Sequence, residues 1–481
     1  MNRWITTAIF SISLMFSMAS IAQPNVSELK VNNDLPNIVL FLTDDTNWFD
    51  IEPYDRMYDY TPHNAKTPNL MKFAEESMLF TSAFTSTALC SPTRQQLYTG
   101  LFPVKNGAYP QHSVAKEGTK SVVHYFESLG YRVALAGKKH IAPASVYPFE
   151  FVGEDIRGTQ GSTTFGIDGV EEFIKRDKTQ PFFIIVASNN SHGPWNRGDT
   201  SLYDANKLTI PQFMVDTPEF RKNLVNYYAE ITDLDTEFGL VDDVLKRHNV
   251  YSNTLTIFTS EQGSEMPFAK YTAYDAGLKT AFMMRWPTKI KAGSITDAMI
   301  QYVDVVPTLI EAAQGKAPDN IDGISFMPVL KGLKQEHREY TYGVHTTRNV
   351  LKGNDYPIRS VRSKNYKLIL NLMHESEFSN LTSAALKNKK GTLWDWQQKQ
   401  GQGSEWAKVR VQYYLNRPEV EFYDVLNDPF EMNNLAQNPE YEKIIQQHMA
   451  ELKRWMKEQG DLGIPTELDA CSRTASYKVC P

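Results

Sequence analysis

Three mainly apolar runs of strand length, the third of which contains threonines, constrain the fold more than any other feature of this sequence. They cover residues 38–42, 181–187 and 254–259, and each is followed at once by polar side chains. Runs without polar alternation are typical of central strands that are buried on both faces of a parallel sheet. Helical segments separate the runs, the longest at 218–247. This alternation predicts an α/β fold with a large, mostly parallel (mixed) sheet sandwiched by helices.

The pattern of the chain changes after about residue 333. Before it, we predict further strands at 131–136 and 280–286 and helices at 67–78, 121–129, 168–176 and 305–313. After it, short strands near 340–345, 358–362, 366–371 and 421–424 precede a last helix at about 438–459. We therefore expect a catalytic domain at 23–333 and a smaller C-terminal α+β domain at 334–481, built on an antiparallel sheet. The polar stretch 375–410 is interpreted as an insertion or a long loop.

The N-terminus has the pattern of a secretory signal peptide. One positive charge at Arg3 precedes an apolar run from Ile5 to about Met18, and small residues near Ala22 offer a cleavage site. We predict a signal peptide at 1–22, with an uncleaved anchor as the alternative, and hence export, first of all to a bacterial periplasm. No other long apolar run exists, so no membrane span is expected after cleavage. The net charge of −6 argues against nucleic-acid binding.

The segment 90–100 combines a nucleophile with a fixed positive charge. Cys90 stands two residues before Pro92, Arg94 follows one helical turn later, and Gly100 closes the segment. Because proline favours helix starts and glycine favours helix ends, we expect a short helix that begins at Cys90. Backbone N–H groups and the helix dipole favour anions there, and residues four apart share one helix face. The segment is therefore predicted to direct Cys90 and Arg94 at one anionic group.

The chain has two other cysteines, Cys471 and Cys480, close to its end. In an exported protein this pair could form a small disulfide loop. That leaves Cys90 as the odd thiol, either a buried free cysteine or a reactive one. The proline and arginine beside it favour the second interpretation.

Acidic and amide side chains follow two of the apolar runs. Asp44 and Asp45 come after the first run, and Glu261 and Gln262 after the third. Strand ends of open α/β sheets collect binding sites, and adjacent carboxylates repel unless a cation lies between them. Oxygen donors of this kind suit Ca²⁺. We therefore predict a metal site at this sheet edge, against the alternative of a helix cap or turn.

The motif of Cys90, Pro92 and Arg94 resembles the Cys-x-Pro-x-Arg signature of type I sulfatases of the alkaline phosphatase superfamily. Residues 130–140 are similar to a second signature of that family, with Val133 in place of a threonine. Segments 302–309, 322–326 and 421–435 also resemble the family, and 356–361 and 371–372 are similar to its sulfamidase-like branch.

The resemblance implies that a maturation enzyme, formylglycine-generating or radical, oxidises Cys90 to Cα-formylglycine. The hydrated aldehyde then attacks the sulfur of the substrate. The resemblance implies that this hydrate and four residues of the strand ends bind Ca²⁺: Asp44, Asp45, Glu261 and Gln262. Glu261 and Gln262 are each one methylene longer than the family's usual residues, which leaves open whether Gln262 ligates the metal directly. The same resemblance implies sulfate binding, leaving-group protonation and sulfate release by Arg94, Lys138, His140, His192 and Lys270.

We expect a sulfatase that acts on a sulfated carbohydrate. An N-sulfoglucosamine sulfamidase, a phosphodiesterase or phosphonate hydrolase of the same superfamily, and a catalytically silent glycan-binding protein remain as alternatives. Three further residues are candidates for substrate binding against the alternative of ordinary loop residues: His112, His345 and Arg348.

Overall fold

The computed structural model describes residue 1 and residues 35–156, 163–348, 353–381, 383 and 389–474. Those from Leu35 onward belong to one compact unit that contains two sheets. The larger sheet has nine strands, in the order β4-β3-β5-β1-β6-β7-β2-β8, with β9 beside β2. Its strands are β1 (Asn37–Thr43), β2 (Met78–Phe84), β3 (Arg132–Gly137), β4 (Glu150–Gly153), β5 (Phe182–Ala187), β6 (Thr254–Ser260), β7 (Lys279–Arg285), β8 (Ser294–Thr296) and β9 (Ile300–Gln301).

The smaller sheet is antiparallel, in the order β10-β11-β12-β13. Its strands are β10 (Thr341–His345), β11 (Ile358–Arg362), β12 (Tyr366–Asn371) and β13 (Val420–Asp424). The helices of both parts are α1 (Glu52–Asp55), α2 (Pro68–Glu75), α3 (Cys90–Thr99), α4 (Pro103–Asn106), α5 (Val122–Ser128), α6 (Ile167–Lys175), α7 (Pro218–Arg247), α8 (Asp275–Leu278), α9 (Val305–Ala312), α10 (Met327–Leu330), α11 (Thr392–Gly401), α12 (Glu405–Leu415), α13 (Glu442–Gln459) and α14 (Ile464–Leu468).

The three apolar runs form adjacent parallel strands at the centre of the larger sheet. β1 pairs with β5 on one side and with β6 on the other, and β3 continues the parallel set beyond β5. β7 runs antiparallel to β6, which makes the sheet mixed. The predicted fold class is confirmed, and the carboxyl ends of β3, β5, β1 and β6 lie at one edge.

Both faces of the sheet are covered. Val39 and Phe41 of β1 pack with α7, where the rings of Phe41 and Phe238 lie 5.4 Å apart. The alternate residues Ile38 and Leu40 pack on the other face with α5 and α9. Because side chains of a strand point alternately to opposite faces, a run apolar at every position needs a core on each side.

The smaller sheet is held to α13 and to the larger sheet. The rings of Trp455 and Tyr342 stack with centroids 4.7 Å apart. The backbone N–H of Val344 donates to the carbonyl of Ser86 over 2.7 Å, just after β2. The segment between β2 and α3 is therefore fastened to the second sheet.

The interpretation of 375–410 as a loop is wrong. The stretch contains α11, and α12 follows directly, with Trp396 and Tyr414 fully buried against Phe268. β2 was also missed, because its first residue was assigned to the preceding helix.

Two predictions lie wholly or partly outside the described residues. The signal peptide falls in the N-terminal segment, and Cys480 falls after Thr474, so its pairing with the buried Cys471 stays a prediction. The domain boundary after residue 333 also stays a prediction. Among the described residues, no helix is both long and apolar enough to cross a membrane.

Candidate active site

The pairing of β1 with β6 brings the two acidic segments together. Thr43 lies opposite Ser260, and the N–H of Glu261 donates to the carbonyl of Thr43 over 2.9 Å. The side chains that follow each strand therefore converge at the carboxyl edge. Asp45 has a φ of 51°, a left-handed conformation that is uncommon for aspartate and marks a sharp departure from the strand.

Cys90 begins α3, as predicted, and Gly100 ends that helix in the left-handed conformation. The Sγ atom of Cys90 lies 3.7 Å from Oδ1 of Asp44 and 4.0 Å from Oδ1 of Asp45. Nε2 of Gln262 lies 3.5 Å from the same sulfur. The thiol is thus surrounded by the oxygen-bearing side chains of both strand ends.

Arg94 uses its guanidinium to fasten the edge of the sheet. Its Nε and Nη2 donate to the two carboxylate oxygens of Glu261 over 3.0 and 3.1 Å, and Nη1 donates to the carbonyl of Lys138 over 3.1 Å. Because both side chains are fully buried, this bidentate pair is rigid. Direct contact of Arg94 with a substrate and of Glu261 with a metal stay predictions.

Each of the two aspartates forms an ion pair with one lysine. Lys138 Nζ pairs with Oδ2 of Asp44, and Lys270 Nζ lies 2.6 Å from Oδ2 of Asp45. His192 approaches the second aspartate more loosely, with Nε2 at 3.7 Å, and its Nδ1 donates to the carbonyl of Gly193 over 2.7 Å. The buried residues gathered here form what we call the Cys90 cluster: Asp44, Asp45, Cys90, Arg94, Lys138, Glu261, Gln262 and Lys270.

Burial and the neighbouring charges shift the pKa values in this cluster strongly. Burial raises the pKa of Asp44, but the charge of Lys138, the hydrogen bond with Glu261 and the charges of His192 and Arg94 together outweigh burial and hold that pKa well below its usual value. Despite burial, Asp45 raises the pKa of Lys270. Burial, with Glu261 nearby, raises the pKa of the Cys90 thiol to about 12. The unmodified cysteine is therefore a neutral thiol and a poor nucleophile.

The donor set fits a divalent cation. Ligand atoms of Asp44, Cys90 and Glu261 lie within 4.8 Å of one another, as do those of Asp45, Cys90 and His192. Oε1 of Gln262 is buried without a hydrogen-bond partner, a costly state for an amide oxygen. Three carboxylates balance three cations, so the cluster has no net charge of its own to attract an anionic ester: Asp44, Asp45 and Glu261 against Arg94, Lys138 and Lys270. A bound cation would supply that charge. It would also satisfy the amide oxygen if the amide were turned, so that Oε1 took the position from which Nε2 donates to Asp45 over 2.6 Å.

Two histidines stand at the more exposed side of the cluster. Nε2 of His140 lies 2.9 Å from Nδ1 of His112, and both residues have positive φ values, 51° and 57°. Burial and the charge of Lys138 lower the pKa of His140 to about 2, so it is neutral at physiological pH. The structure thus brings the predicted His140 and His112 together as a pair.

The structure does not bring the other two candidates to the cluster. His345 is completely buried in β10, and Arg348 pairs with Asp355 over 2.7 Å. Within the described part of the chain, no contact joins either residue to the Cys90 cluster, and their role in substrate binding stays a prediction.

The sequence did not reveal Gln111, whose Oε1 accepts from the N–H of Ser91 over 3.1 Å at the start of α3. It follows Pro110 in a loop, where no periodicity marks it. Its position next to His112 was the available signal.

Comparison with known proteins establishes the class to which this architecture and site belong. The family described as "Sulfatase" matches residues 36–315, and "N-sulphoglucosamine sulphohydrolase, C-terminal" matches residues 263–385. The chain belongs to the sulfatase family, enzymes that hydrolyse sulfuric esters.

Two relatives cover most of the chain. An ulvan-active sulfatase of Formosa agariphila is 34% identical over 450 residues, which cover 89% of this chain and 82% of the relative. The human N-sulphoglucosamine sulphohydrolase is 27% identical, over 88% of this chain and 90% of the relative.

Solved structures share the fold. A sulfatase from Bacteroides thetaiotaomicron, described with the metabolism of multiple glycosaminoglycans, superposes with a TM-score of 0.69 at 21% identity and covers 89% of this chain and 97% of its own. The phosphonate monoester hydrolase of Agrobacterium radiobacter has a TM-score of 0.68 at 18% identity, covering 88% and 96%. At these identities the likeness concerns the fold alone.

Proposed function

We propose that this protein hydrolyses sulfate esters of a sulfated polysaccharide or its oligosaccharides, with Cα-formylglycine made from Cys90 and one Ca²⁺. The observation that carries the proposal is the environment of the Cys90 sulfur, which lies within 4.0 Å of both aspartates and of Gln262 at the start of a helix. The carbohydrate substrate is supported by relatives named for ulvan and N-sulphoglucosamine.

The formylglycine hydrate supplies an oxygen nucleophile, and Ca²⁺ supplies positive charge that lowers a hydroxyl pKa and offsets charge on the sulfuryl oxygens. Asp44, Asp45 and Gln262 would hold the cation, with Glu261 beside them. Lys138 and Lys270 place ammonium groups next to the two aspartates, where they stabilise negative charge that develops on the sulfuryl group. Arg94 acts as a positioning residue, because its donors hold Glu261 and the carbonyl of Lys138.

Proton transfer falls to the histidines. The hydrogen bond from Nδ1 of His192 to a carbonyl sets the ring so that Nε2 faces the site. With both ring nitrogens protonated, Nε2 can donate its proton to the leaving oxygen. His140 is kept neutral by burial and Lys138, so it presents a ring-nitrogen lone pair that can accept a hydrogen bond from the nucleophile side.

The test has two readouts on protein from its native host. Peptide mass spectrometry across Cys90 should show the aldehyde, and sulfate release should be measured on defined sulfated oligosaccharides. An unmodified thiol would favour the glycan-binding alternative. A higher kcat/KM on phosphodiesters or phosphonates than on sulfate esters would favour the phosphoryl-transfer alternative, which shares this fold.

A second candidate function is the hydrolysis of N-sulfate on glucosamine. It is favoured by the match of residues 263–385 to the C-terminal region of N-sulphoglucosamine sulphohydrolase. N-sulfoglucosamine and its O-sulfated isomers should be compared as substrates. Faster sulfate release from the N-sulfate would select this candidate over the first.

The proposal includes export and a maturation partner. It is supported by the predicted leader at residues 1–22 and by the intact motif around Cys90. Peptide sequencing of the mature N-terminus should begin near Gln23. A mature protein that retains Met1 would contradict export by this route.

A further inference from the structure

A cavity of about 160 Å³ lies beside the Cys90 cluster, on the far side of His192. We call it the His192 cavity. It is lined by the segment after β5 and by α7, through residues that include Asn189, Asn190, His192, Arg197 and Glu230. The His192 ring borders both this cavity and Asp45. The cavity therefore shares His192 with the place where the sulfate of a substrate would lie.

Two buried oxygen atoms in the lining have no hydrogen-bond partner: Oε2 of Glu230 and Oδ1 of Asn189. Glu230 is 1% exposed, and its other oxygen accepts from the backbone N–H groups of Asn196 and Arg197 over 2.7 and 3.1 Å. Asn189 is 6% exposed, and its Nδ2 donates to Asp155 over 2.6 Å. Both side chains are thus held by one atom while the other is unused. Burial raises the pKa of Glu230 to about 7, so its free oxygen is an acceptor above that pH, where the substrates should be compared.

The side-chain donors around the cavity are already engaged. The guanidinium of Arg197 donates to Asp233 through Nε and Nη2, both at 3.1 Å. Nδ2 of Asn190 donates to the same carboxylate over 3.0 Å, and Nδ1 of His192 donates to Gly193. The free hydrogen-bonding capacity of the lining is therefore acceptor capacity.

We propose that the His192 cavity binds free hydroxyl groups of the sugar next to the scissile sulfate, and thereby selects substrates that are not sulfated at that neighbouring position. The inference rests on the proposed function. Two ring hydroxyls can donate one hydrogen bond each, one to Glu230 and one to Asn189, and so satisfy both acceptors. A sulfate on the neighbouring position carries only acceptor oxygens. In the cavity these oxygens would lie against the acceptor oxygens of Glu230 and Asn189 with no proton to form a hydrogen bond, which is unfavourable. The cavity is below the usual size of a whole ligand site, so it fits one edge of a sugar ring.

The variant Glu230→Gln tests this inference by replacing the unpartnered acceptor oxygen with a hydrogen-bond donor. The two backbone N–H groups keep the carbonyl oxygen of the glutamine in place, so its NH₂ takes the position of the unpartnered oxygen. The substrates are paired disaccharides that carry the same scissile sulfate, with or without a sulfate on the neighbouring hydroxyl. We expect kcat/KM for the free-hydroxyl partner to fall about 10-fold and the ratio between the two substrates to shrink by at least that factor.

Glu237→Gln is the matched control. Its oxygens accept from Thr164 and Ser188, and Thr164 also lines the cavity, so this variant controls for the loss of a buried carboxylate next to the lining. Asp235→Asn is the control away from the cavity, because this buried carboxylate on the same helix accepts from Asn69 and Leu70, and it should leave the ratio as in the wild type. Asn189→Ala is the second variant, for use if Glu230→Gln does not fold, and it should also shrink the ratio.

Hydrolysis of 4-nitrophenyl sulfate separates this inference from the proposed function, since that substrate has no sugar hydroxyls. We expect Glu230→Gln to keep wild-type activity on it. A ratio unchanged by both variants would overturn the inference and leave the sulfatase proposal standing. A wild-type enzyme that releases sulfate from none of these compounds would overturn both.

Discussion

The Cys90 cluster and a second buried group of charged residues each contain as many carboxylates as cations. The two groups differ in whether every polar side-chain atom has a partner. The second group, the Asp275 cluster, consists of Asp275, Arg362, Lys367 and Glu431 and joins α8 to the smaller sheet. All four are buried, with two carboxylates against two cations.

In the Asp275 cluster every carboxylate oxygen has a cationic or N–H group within 3.0 Å, although Oε1 of Glu431 makes only an ion-pair contact with Lys367 and no hydrogen bond. Arg362 and Lys367 take the two oxygens of Asp275 at 2.9 and 2.7 Å, and Lys367 and the N–H of Asp275 take those of Glu431 at 3.0 and 2.5 Å. In the Cys90 cluster Oδ1 of Asp44 lies 3.7 Å from the thiol, Oδ1 of Asp45 accepts from Nε2 of Gln262 over 2.6 Å, and Oε1 of Gln262 is buried without a partner.

This difference distinguishes a buried charge cluster that stabilises the fold from one that can bind a ligand. A fully paired cluster offsets its desolvation internally and needs nothing else. A cluster with unused acceptors retains a cost that only a ligand removes, and such local conflicts are expected at functional sites. Substitutions in the two clusters should therefore differ in whether activity or stability suffers.

The largest effect is expected from Cys90→Ala. Without the precursor of the nucleophile, sulfate release should fall by at least about 10⁴-fold. The sulfur makes only contacts of 3.5–4.0 Å, so the free energy of unfolding should change by about 1 kcal/mol. Initial rates and urea denaturation of the same preparation measure both. Loss of folding in this variant would contradict the functional interpretation of the cluster.

Lys367→Met should produce the opposite pattern. It leaves Asp275 and Glu431 buried without their shared cation, which costs about 3–5 kcal/mol in free energy of unfolding. The kcat/KM of the remaining folded enzyme should stay near the wild-type value. Urea denaturation followed by tryptophan fluorescence measures the loss.

The control for Lys367→Met is Lys364→Met, which breaks a pair with Asp297 in which both side chains are more than half exposed. Exposed pairs contribute about 0–1 kcal/mol, so little should change. Equal losses in the two variants would contradict the role assigned to burial.

Calcium should stabilise through the Cys90 cluster alone. At 100 times its dissociation constant, Ca²⁺ should add about 2.7 kcal/mol to the free energy of unfolding. Asp45→Asn and Gln262→Leu should reduce this increment because each removes an oxygen donor or its charge. Asp275→Asn should lower stability but keep the increment. Thermal unfolding with and without a chelator measures the increment in each variant. An increment that is unchanged in Asp45→Asn would contradict the assignment of the metal to this site.

The smallest effect concerns His345, a buried titratable group that belongs to neither cluster and has no counter-ion. Burial, with Arg417 and Arg359 nearby, lowers its pKa to about 3. Because the unfolded chain binds a proton near pH 6.5 and the folded protein does not, stability is complete above that pH and decreases as the pH falls toward 3. At pH 5 the loss should be about 2 kcal/mol.

His345→Gln should remove this part of the pH dependence. Urea denaturation at pH 7.5 and pH 5 measures the slope in both proteins. Equal slopes in wild type and variant would show that the histidine is protonated in the folded state.

Much of the fold was predictable from the sequence because its signals are local. Apolar runs of five to seven residues define β1, β5 and β6, and the proline and glycine around Cys90 define α3. The missed helices show the limit of this approach. In α12, Ala407, Val411 and Tyr414 follow the helical spacing of three and four, but the polar residues between them concealed it.

The residue content of the site was also visible in the sequence. Strands that are parallel neighbours end at the same edge, so polar residues after each run must converge, and this placed Asp44, Asp45, Glu261 and Gln262 together before any coordinates were known.

Only the tertiary structure decided which side chains pair. Arg94 and Glu261 lie 167 positions apart, and nothing local shows that the guanidinium holds that carboxylate with both oxygens. The unused acceptors of Glu230 and Asn189 were equally hidden, because a partner's absence depends on every segment packed nearby. The sequence by itself determined the strands, the helix of Cys90 and the chemistry of the site, since these depend on neighbours in the chain. The division of charges into paired and unpaired atoms depends on distances between remote segments, and therefore only the folded structure decided it.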